Sequence, residues 1–372
     1  MKVPLSRPYV DQEIRDAVLK ALDSEQYILG PECKALEAEF AAYLGTRHAV
    51  LTTSGTAAIQ LVLEGLGVKP GDEIIVPSLT AFPTIEPLLH MGAVPVFAEI
   101  DESFTMNPDH AASLITPRTV GIIPVHLYGR PANIPALQAL AKKHKLFLLE
   151  DTCQGHGAEI GSKRCGSFGV AGCFSFYPSK NMTVAGDGGL IATSDDSIAE
   201  KARMLRNHGR RGRYEHEVAG YNLRFNEIQA AVGRVQLRRL PGFVARRGAI
   251  ARRYDELLKP LSDRLKLPTP PSDLGAGAVH SYHLYVVRTP RRDELKEFLA
   301  AQGVSAEIHY PIPCHLQPAT AAKVKPKPLP FTEKVCGEIL SLPMYPALED
   351  KAVAYVAEQL GRFFAQKTAR AA

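Results

Sequence analysis

Short apolar runs alternate with segments of helical periodicity over the first half of the chain. The runs that we predict to be β-strands are rich in branched residues and bounded by turns, at residues 49–53, 73–77, 94–98, 119–125 and 146–149. Helical spacing is found before and between them, at residues 11–23, 32–44, 82–90, 108–114 and 135–144. This alternation predicts an α/β fold, with a large, mostly parallel sheet that is covered by helices on both faces.

The second half of the chain has a different pattern. Helices are predicted at residues 197–206, 226–237 and 241–258, followed by a segment rich in Pro and Gly at 268–277. Beyond it, a strand, a helix and another strand are predicted at 281–287, 291–302 and 305–310. We therefore expect a large domain over residues 1–245 and a smaller C-terminal α/β domain over residues 246–372, which closes on the first.

Composition excludes several classes of protein. The chain has 372 residues, of which 45% are hydrophobic and 22% are charged, as is ordinary for a soluble enzyme. The net charge of +5 is mild and not gathered in a tail, so nucleic-acid binding is not indicated, although an acidic substrate is compatible. The six cysteines show neither metal-type spacing nor CxxC pairs. With no signal peptide and no membrane-spanning run, we expect a cytoplasmic protein without a metal site.

Lys180 lies in an apolar, aromatic segment and is closely followed by the glycine-rich run 186–189. Upstream, the predicted strand 146–149 ends in Glu150 and Asp151. A lysine beside an aspartate at a strand end suits pyridoxal 5′-phosphate (PLP), because the amine forms a Schiff base with the cofactor and the carboxylate keeps the ring nitrogen protonated. Singly, such a lysine is more often solvated and such an aspartate is more often a helix cap. The combination indicates a cofactor site.

The sequence Ser54-Gly55-Thr56 follows the first predicted strand and opens a helix. Ser54 is a candidate N-cap, Gly55 allows the backbone to approach an anion, and Thr56 offers a hydroxyl beside the unpaired N–H groups of the first turn. Helix N-termini bind phosphate through these amides and the helix dipole. An ordinary capped helix would look the same, so this turn counts only together with Lys180 and Asp151. One cleft at the carboxyl ends of the strands could collect all three elements.

A longer series of motifs extends from Tyr27 to about Pro346. It comprises residues 27–31, 54–56, 124–129, 150–154, 174–181, 188–189, 206–209, 220–224, 227–231, 309–311 and 315–318. In order and spacing this series resembles the DegT/DnrJ/EryC1/StrS group of PLP-dependent sugar aminotransferases. The resemblance implies the aspartate-aminotransferase type of fold (type I).

The resemblance also implies a role for each matching position. Lys180 would be the Schiff-base lysine, Asp151 the partner of the pyridinium nitrogen, and Gln154 a contact of the cofactor's phenolic oxygen. The phosphate would be held by the Ser54-Gly55-Thr56 turn, by Ser175 and by Asn222 from the other subunit of a homodimer, so that the active sites would be shared. The candidate substrate-binding residues are Tyr27, His309, Tyr310 and His315.

The chain departs from the group's pattern at the position of the stacking ring. Many members place an aromatic residue directly after the threonine that corresponds to Thr80. Here Ala81 has that place, and the aromatic residue is Phe82, one position further on. Phe82 is therefore the candidate for stacking on the cofactor, and its alternative role is core packing at the start of a helix.

The implied reaction is the transfer of an amino group from L-glutamate, which leaves as 2-oxoglutarate, to a keto-sugar carried by a nucleotide, with pyridoxamine 5′-phosphate as the intermediate cofactor form. The motifs at residues 215–218 and 309–313 favour 3-keto over 4-keto sugars. Two alternatives stay open, a non-catalytic PLP-binding regulatory or sensory protein and an aminotransferase for a keto-cyclitol. A group of arginines is either a solvated surface or a ligand of the nucleotide diphosphate, and it comprises Arg203, Arg206, Arg210, Arg211 and Arg213.

Overall fold

The computed structural model describes residues 1–212 and 214–366. Its α-helices are α1 Gln12–Asp23, α2 Pro31–Leu44, α3 Gly55–Gly65, α4 Glu86–Met91, α5 Pro108–Ser113, α6 Ile134–His144, α7 Asp196–Leu205, α8 Glu227–Leu258, α9 Arg292–Ala301, α10 Pro318–Ala321, α11 Pro330–Glu338 and α12 Asp350–Ala365. Its strands are β1 His48–Thr52, β2 Glu73–Pro77, β3 Val94–Ala98, β4 Thr119–Ile122, β5 Phe147–Asp151, β6 Glu159–Ile160, β7 Lys163–Arg164, β8 Ala171–Ser175, β9 Gly189–Thr193, β10 Arg210–Arg211, β11 Glu215–His216, β12 Tyr285–Arg288 and β13 Ile339–Leu342. Short 3₁₀ helices lie at Phe82–Thr84, Leu127–Gly129, Lys259–Leu261, Pro271–Leu274 and Cys314–Leu316.

Seven strands form the main sheet, in the order β1-β9-β8-β5-β4-β2-β3. Strand β9 runs antiparallel to both of its neighbours, whereas the pairs β2–β3, β2–β4, β4–β5 and β5–β8 are parallel. The predicted α/β architecture with a mostly parallel sheet is therefore confirmed. Strands β2 and β3 match the predicted bounds residue for residue, but β9 is absent from the predicted strands.

Different helices cover the two faces of this sheet, because successive residues of a strand point to opposite sides. On one face, Val50 of β1 and Ile191 of β9 pack with α3, α4 and α7. On the other face, Leu51 and Leu190 pack with α2 and α8, and Leu148 of β5 packs with α5 and α6. Both faces are thus buried, and the ends of the strands are left to carry functional side chains. Within the described ranges, none of the helices has the length and apolar character needed to cross a membrane.

A single helix of 32 residues, α8, replaces the two helices predicted at 226–237 and 241–258. Pro241 lies inside it, where the missing N–H removes one hydrogen bond of the helix. Packing on both sides of the proline keeps the helix continuous, since Leu240 is buried among the residues of α2 and Tyr254 is buried in the C-terminal core. The predicted break was wrong because tertiary packing outweighs the local preference of proline.

The C-terminal part of the chain has its own hydrophobic core, formed by the end of α8, by α9 and α12, and by the antiparallel pair β12–β13. Val3, from the other end of the chain, is buried in the same core. The proposed domain division at residue 245 falls inside α8 and stays a prediction. The strand predicted at 305–310 was wrong, because this segment pairs with β13 at a single bridge, between Glu307 and Ser341, instead of running along it.

Glu227, the first residue of α8, fixes the start of α2. The N-cap of α2 is Gly30, which has no side chain to accept a hydrogen bond from the first turn. The buried carboxylate of Glu227 supplies the acceptor instead, for the backbone N–H groups of Gly30 at 2.8 Å, Glu32 at 2.7 Å and Cys33 at 3.0 Å. It pairs amides that a helix start leaves free, and its charge suits the helix dipole.

Replacing Glu227 by alanine is expected to destabilise the protein by on the order of 3 kcal/mol, because buried N–H groups would lose their acceptor. Urea unfolding followed by circular dichroism measures this change. The matched control is Glu256→Ala on the same helix, since Glu256 pairs with Arg253 in solvent. The control should change the free energy of unfolding by less than about 0.5 kcal/mol. Equal losses for the two variants would contradict the capping role of Glu227.

Candidate active site

A cavity of about 470 Å³ lies at the carboxyl ends of the central strands of the main sheet. Parallel strands end at the same edge of a sheet, so residues that are distant in sequence meet there. Residues that follow β1, β2, β5 and β8 line this cavity, as does one residue from the C-terminal part. Among the predicted site residues, it brings together Ser54, Gly55, Thr56, Phe82, Asp151, Ser175, Lys180 and Tyr310.

The turn Ser54-Gly55-Thr56 forms the start of α3. Ser54 is its N-cap, because its backbone is extended and its hydroxyl accepts from the N–H of Ala57 at 3.1 Å. A Cβ on Gly55 would lie 2.6 Å from the sulfur of Cys153 and 2.9 Å from Cβ of Ser175. A Cβ on Gly189, at the start of β9, would collide with the backbone of Ser54. Glycine at both positions lets the helix start pack directly on the strand ends, which forms an anion site of the type found at helix N-termini.

Asp151 is the last residue of β5 and is buried at the wall of the cavity. Its Oδ2 atom accepts a hydrogen bond from the hydroxyl of Thr84 at 2.7 Å, and its Oδ1 atom accepts from the backbone N–H of Cys153 at 3.0 Å. A carboxylate has about four acceptor positions, so Asp151 can take a further donor from within the cavity. The two bonds fix the orientation in which it would do so.

Lys180 lies in the turn after β8, where its backbone N–H donates to the carbonyl of Tyr177 at 2.8 Å. The side chain is partly buried and lines the same cavity as Asp151. Burial lowers the pKa of Lys180 from its ordinary value, while the negative charge of Asp151 opposes the shift. A lower pKa leaves more of the amine unprotonated at a given pH. The site therefore favours a neutral amine, which can act as a nucleophile and accept a proton.

Glu150, directly before Asp151, holds the strand end from the other side. It is fully buried, and its carboxylate accepts from the backbone N–H groups of Gly166, Phe168 and Gly169. Its Oε2 atom also lies 3.0 Å from Nε2 of His126. Because Nδ1 of His126 accepts from the N–H of Ala132, the ring proton must be on Nε2, and His126 donates it to Glu150. These bonds fix the backbone from which Asp151 projects.

Gln154 is buried behind Tyr310. Its Oε1 atom accepts from the backbone N–H of Tyr128 at 2.8 Å, and its Nε2 atom donates to the hydroxyl of Tyr310 at 3.1 Å. Burial raises the pKa of Tyr310 above its ordinary value, so this hydroxyl keeps its proton. In this arrangement the amide of Gln154 is connected to the cavity through Tyr310.

Two predicted substrate residues are held by other partners. His315 is buried, with Nδ1 at 2.6 Å from Oγ of Ser78 and Nε2 at 3.1 Å from the carboxylate of Glu333. Both ring nitrogens are thus used inside the protein, and the structure does not bring His315 to the cavity; it links the C-terminal part to the end of β2. His309 places Nδ1 at 2.9 Å from Oγ of Ser341, and burial lowers its pKa, with a smaller contribution from Lys180.

Tyr27 and Asn222 lie on the surface, outside the cavity of their own chain. Tyr27 is 46% exposed, and its hydroxyl donates to the carbonyl of Leu22 at 3.2 Å. Asn222 is also exposed, and its backbone forms a β-bridge with Asn207. Neither residue lines the cavity of its own chain.

The predicted group of arginines is not a uniform surface. Arg206 is buried and donates to Glu37 and to the carbonyl of Leu51, each at 2.6 Å, so it joins α2 and β1. Arg211 is exposed and forms ion pairs with Glu200 and Glu217. Arg213 lies outside the described residues.

Several residues that line the cavity are not among the site residues predicted from the sequence, among them Thr84, Cys153, Tyr177 and Asp187. Cys153 could have been found, because it stands beside Asp151 in a motif that was recognised. Burial raises the pKa of Cys153, and the charge of Asp151 adds to the shift, so the residue stays a thiol. Thr84 has a weaker signal, since only its spacing of one helical turn from Thr80 marks it.

The cavity matches PLP in its chemistry. The start of α3, cleared by Gly55 and Gly189, suits a phosphate, while Lys180 and Asp151 offer an amine for an aldehyde and a carboxylate for a ring nitrogen. Phe82 is partly buried and presents an aromatic side chain to the same space. Together with the sheet, these features define the class of PLP-dependent transferases with the type I fold.

Comparison with known proteins gives the family within this class. The family model described as the DegT/DnrJ/EryC1/StrS aminotransferase family matches residues 8–361. The chain belongs to this family, and it is a PLP-dependent aminotransferase. Two solved structures of the same fold contain forms of this cofactor: NtdA of Bacillus subtilis, 30% identical to this chain, has bound pyridoxamine 5′-phosphate, and Spr1654 of Streptococcus pneumoniae, 27% identical, is in the PLP form.

Two curated relatives and one solved structure show how close the similarity is. The dTDP-3-amino-3,4,6-trideoxy-alpha-D-glucose transaminase of Streptomyces venezuelae is 45% identical over 90% of this chain and 87% of its own length. The UDP-N-acetyl-3-dehydro-alpha-D-glucosamine 3-aminotransferase of Acidithiobacillus ferrooxidans is 43% identical over 94% of this chain and 93% of its own. The crystal structure of S. venezuelae DesV superimposes with a TM-score of 0.90, at 44% identity and 94% coverage of both chains.

Replacing Gly55 by alanine is expected to weaken PLP binding by at least about tenfold, because the new Cβ would push the helix start away from Cys153 and Ser175. Fluorescence titration of the apoprotein with PLP measures the effect. The matched control is Gly242→Ala, a helical glycine with open space around its Cβ position. This control should bind PLP normally, and similar binding by both variants would contradict the proposed packing at the phosphate turn.

Proposed function

We propose that this protein transfers the amino group of L-glutamate to a 3-keto sugar carried by a nucleoside diphosphate, in the biosynthesis of an amino sugar. The observation that carries the proposal is the cavity shared by Lys180, Asp151 and the helix start at Ser54-Gly55-Thr56. Each group has the chemistry that a PLP transaminase needs, and family membership gives the reaction type.

The residues divide the work as follows. When bound, PLP supplies an electrophilic aldehyde and a ring that can accept the electron pair released at the donor's Cα atom. Lys180 would hold the cofactor through its amine, and the same amine, when free, would take the proton from the donor's Cα; its lowered pKa suits both tasks. Asp151 would keep the ring nitrogen protonated, and Gly55, Thr56 and Ser175 would bind the phosphate.

The sugar and its keto position are inferred from the relatives and from the motifs. Both curated relatives have names that place the transferred amino group at carbon 3 of a nucleotide sugar, one with dTDP and one with UDP. The chain's own motifs at 215–218 and 309–313 also favour the 3-keto position. We therefore propose a 3-keto substrate and leave both nucleotides to the test.

Two other functions predict different behaviour at the same site. A regulatory PLP-binding protein would have no use for a basic lysine beside the ring carboxylate, and Lys180 and Asp151 are both in place. An aminotransferase for a keto-cyclitol would use the same cofactor residues and differ only in its acceptor. Both can be examined in the experiment that identifies the substrate.

The test is a panel of acceptors, with purified holoenzyme and L-glutamate. The panel contains matched 3-keto and 4-keto hexoses as dTDP and UDP derivatives, together with a keto-cyclitol. Formation of 2-oxoglutarate and the mass of the aminated product are measured. We expect turnover of a 3-keto nucleotide sugar at least about tenfold above that of its 4-keto isomer, because a site built for one carbonyl position leaves the other misplaced.

The control for this panel is Lys180→Ala, which should give no turnover with any acceptor. Preference for a 4-keto sugar would contradict the proposed position, and preference for the cyclitol would contradict the nucleotide-sugar class. If glutamate left the cofactor absorbance unchanged and no acceptor reacted, the regulatory alternative would replace the enzyme.

We further propose a cytoplasmic homodimer with shared active sites, in which Asn222 contacts the phosphate bound by its partner. Asn222 is exposed and lies outside the cavity of its own chain. Large apolar side chains are exposed as well, at Tyr27, Ile28, Tyr177 and Tyr221, and such side chains often mark protein interfaces. Tyr177 also lines the cavity, so a surface that covered it would reach the site.

Subunit exchange tests the shared site. A Lys180→Ala chain is mixed with an Asn222→Ala chain under conditions in which exchange is verified by mass spectrometry. Each mixed dimer would then have one site with both native residues and one with both replacements. We expect about a quarter of wild-type activity after random pairing, since half of the dimers are mixed and each has one intact site. Activity no higher than the average of the two parents would show that Asn222 acts within its own subunit.

A further inference from the structure

Two threonines and Asp151 form a buried chain of hydrogen bonds in the wall of the cavity. Thr80, Thr84 and Asp151 are 2%, 1% and 3% exposed. The hydroxyl oxygens of Thr80 and Thr84 are 2.8 Å apart, and the hydroxyl of Thr84 donates to Oδ2 of Asp151 at 2.7 Å. We call this chain the threonine relay.

The direction of the relay follows from counting protons. An ionised carboxylate can only accept, and a hydroxyl has one proton to donate. Because Thr84 directs its proton to Asp151, its oxygen is the acceptor for Thr80. The order is therefore Thr80 to Thr84 to Asp151, and each bond polarises the next one.

The relay connects parts of the sheet that are not neighbours. Thr80 and Thr84 follow β2 and Asp151 ends β5, with β4 between these two strands. Thr84 ends the same 3₁₀ turn, Phe82–Thr84, whose first residue lines the cavity. A single short turn thus presents the aromatic ring of Phe82 and supplies the donor for the carboxylate.

We propose that Thr84 is a positioning residue for the reaction, which holds the carboxylate of Asp151 in the orientation that meets the ring nitrogen of PLP, with Thr80 in support. The backbone N–H of Cys153 holds the other oxygen, so the carboxylate cannot rotate without breaking a buried bond. The inference rests on the proposed role of Asp151 and is independent of the sugar that accepts the amino group.

The other ionisable groups around Asp151 are unchanged by substitutions in the relay. The charge of Asp151 acts on ionisable groups that include Lys180, Cys153, Cys173 and Tyr310. Thr80 and Thr84 are neutral. A threonine variant therefore removes a hydrogen bond of the carboxylate without adding or removing a charged side chain.

The decisive variant is Thr84→Val, which removes the hydroxyl and nearly keeps the shape. We expect kcat to fall about tenfold while KM for glutamate and PLP affinity change less than about twofold, because the lost bond orients a group used in the chemical step. The visible absorbance band of the holoenzyme and its pH dependence should shift as well. Thr84→Ser should restore kcat and the spectrum, and Thr80→Val should give a smaller loss of about threefold.

A matched control is available outside the site. Thr332 is fully buried, and its hydroxyl donates to the carboxylate of Glu99. Thr332→Val removes the same kind of bond, and it should lower thermal stability without changing kcat or the spectrum of the cofactor. If Thr84→Val does not fold, Thr84→Ser and Thr80→Val give the answer, since the first should be near normal and the second impaired.

Two measurements separate the relay from the role of Asp151. In the apoprotein, proton NMR should show a slowly exchanging hydroxyl proton for Thr84, which disappears in Thr84→Val. In the holoenzyme, Asp151→Asn should abolish most turnover. Normal turnover of Asp151→Asn would remove the assigned role of that residue even with the relay present. Normal kcat and spectrum in folded Thr84→Val, or equal impairment in Thr84→Ser and Thr84→Val, would overturn the positioning role.

Discussion

The site depends on one close approach, between the start of helix α3 and the ends of strands β8 and β9. A side chain at Gly55 or at Gly189 would collide with this junction. Strand β9 begins directly after the segment that contains Lys180, so the chain that returns from the lysine passes the phosphate turn. Two small residues thereby set the distance between the anion site and the amine. Because β8 and β9 are antiparallel, the connection that carries Lys180 stays at the carboxyl end of β8.

Adjacent carboxylates in β5 show how a strand end can be rigid and reactive at once. Successive strand residues point to opposite faces, so Glu150 and Asp151 face different surroundings. Glu150 accepts hydrogen bonds from Nε2 of His126 and from backbone N–H groups of the loop that follows β7. These bonds hold that loop against the strand end. Asp151 is held from the other side by Thr84 and Cys153, and it stays directed at the cavity. In this buried pair, Glu150 therefore fixes the backbone, and Asp151 directs its carboxylate to the cavity.

The features that could be predicted from the sequence are those that local sequence patterns determine. Strands β2 and β3, the helix start at Ser54 and the lysine–aspartate pair follow from apolar runs, capping residues and motif order. The sequence did not predict the continuity of α8 through Pro241, because packing of two separate cores decides that question. Nor did it predict the contacts of His315 with Ser78 and Glu333, because these partners come from distant parts of the chain. Thr84 was missed for the same reason, since its proposed role depends on its hydrogen bond to Asp151, which belongs to a strand on the other side of β4.

Helix α8 has a mechanical consequence for the whole molecule. At 1.5 Å per residue it is about 48 Å long, and it is packed into the core beside the sheet at one end and into the C-terminal core at the other. The two cores are therefore joined by one continuous helix and not by a flexible linker. This helix restricts the rotation of the C-terminal core relative to the sheet. Bending is easiest where the helix lacks a backbone hydrogen bond, at Pro241. Any opening and closing of the cleft should therefore occur by bending of α8 at Pro241.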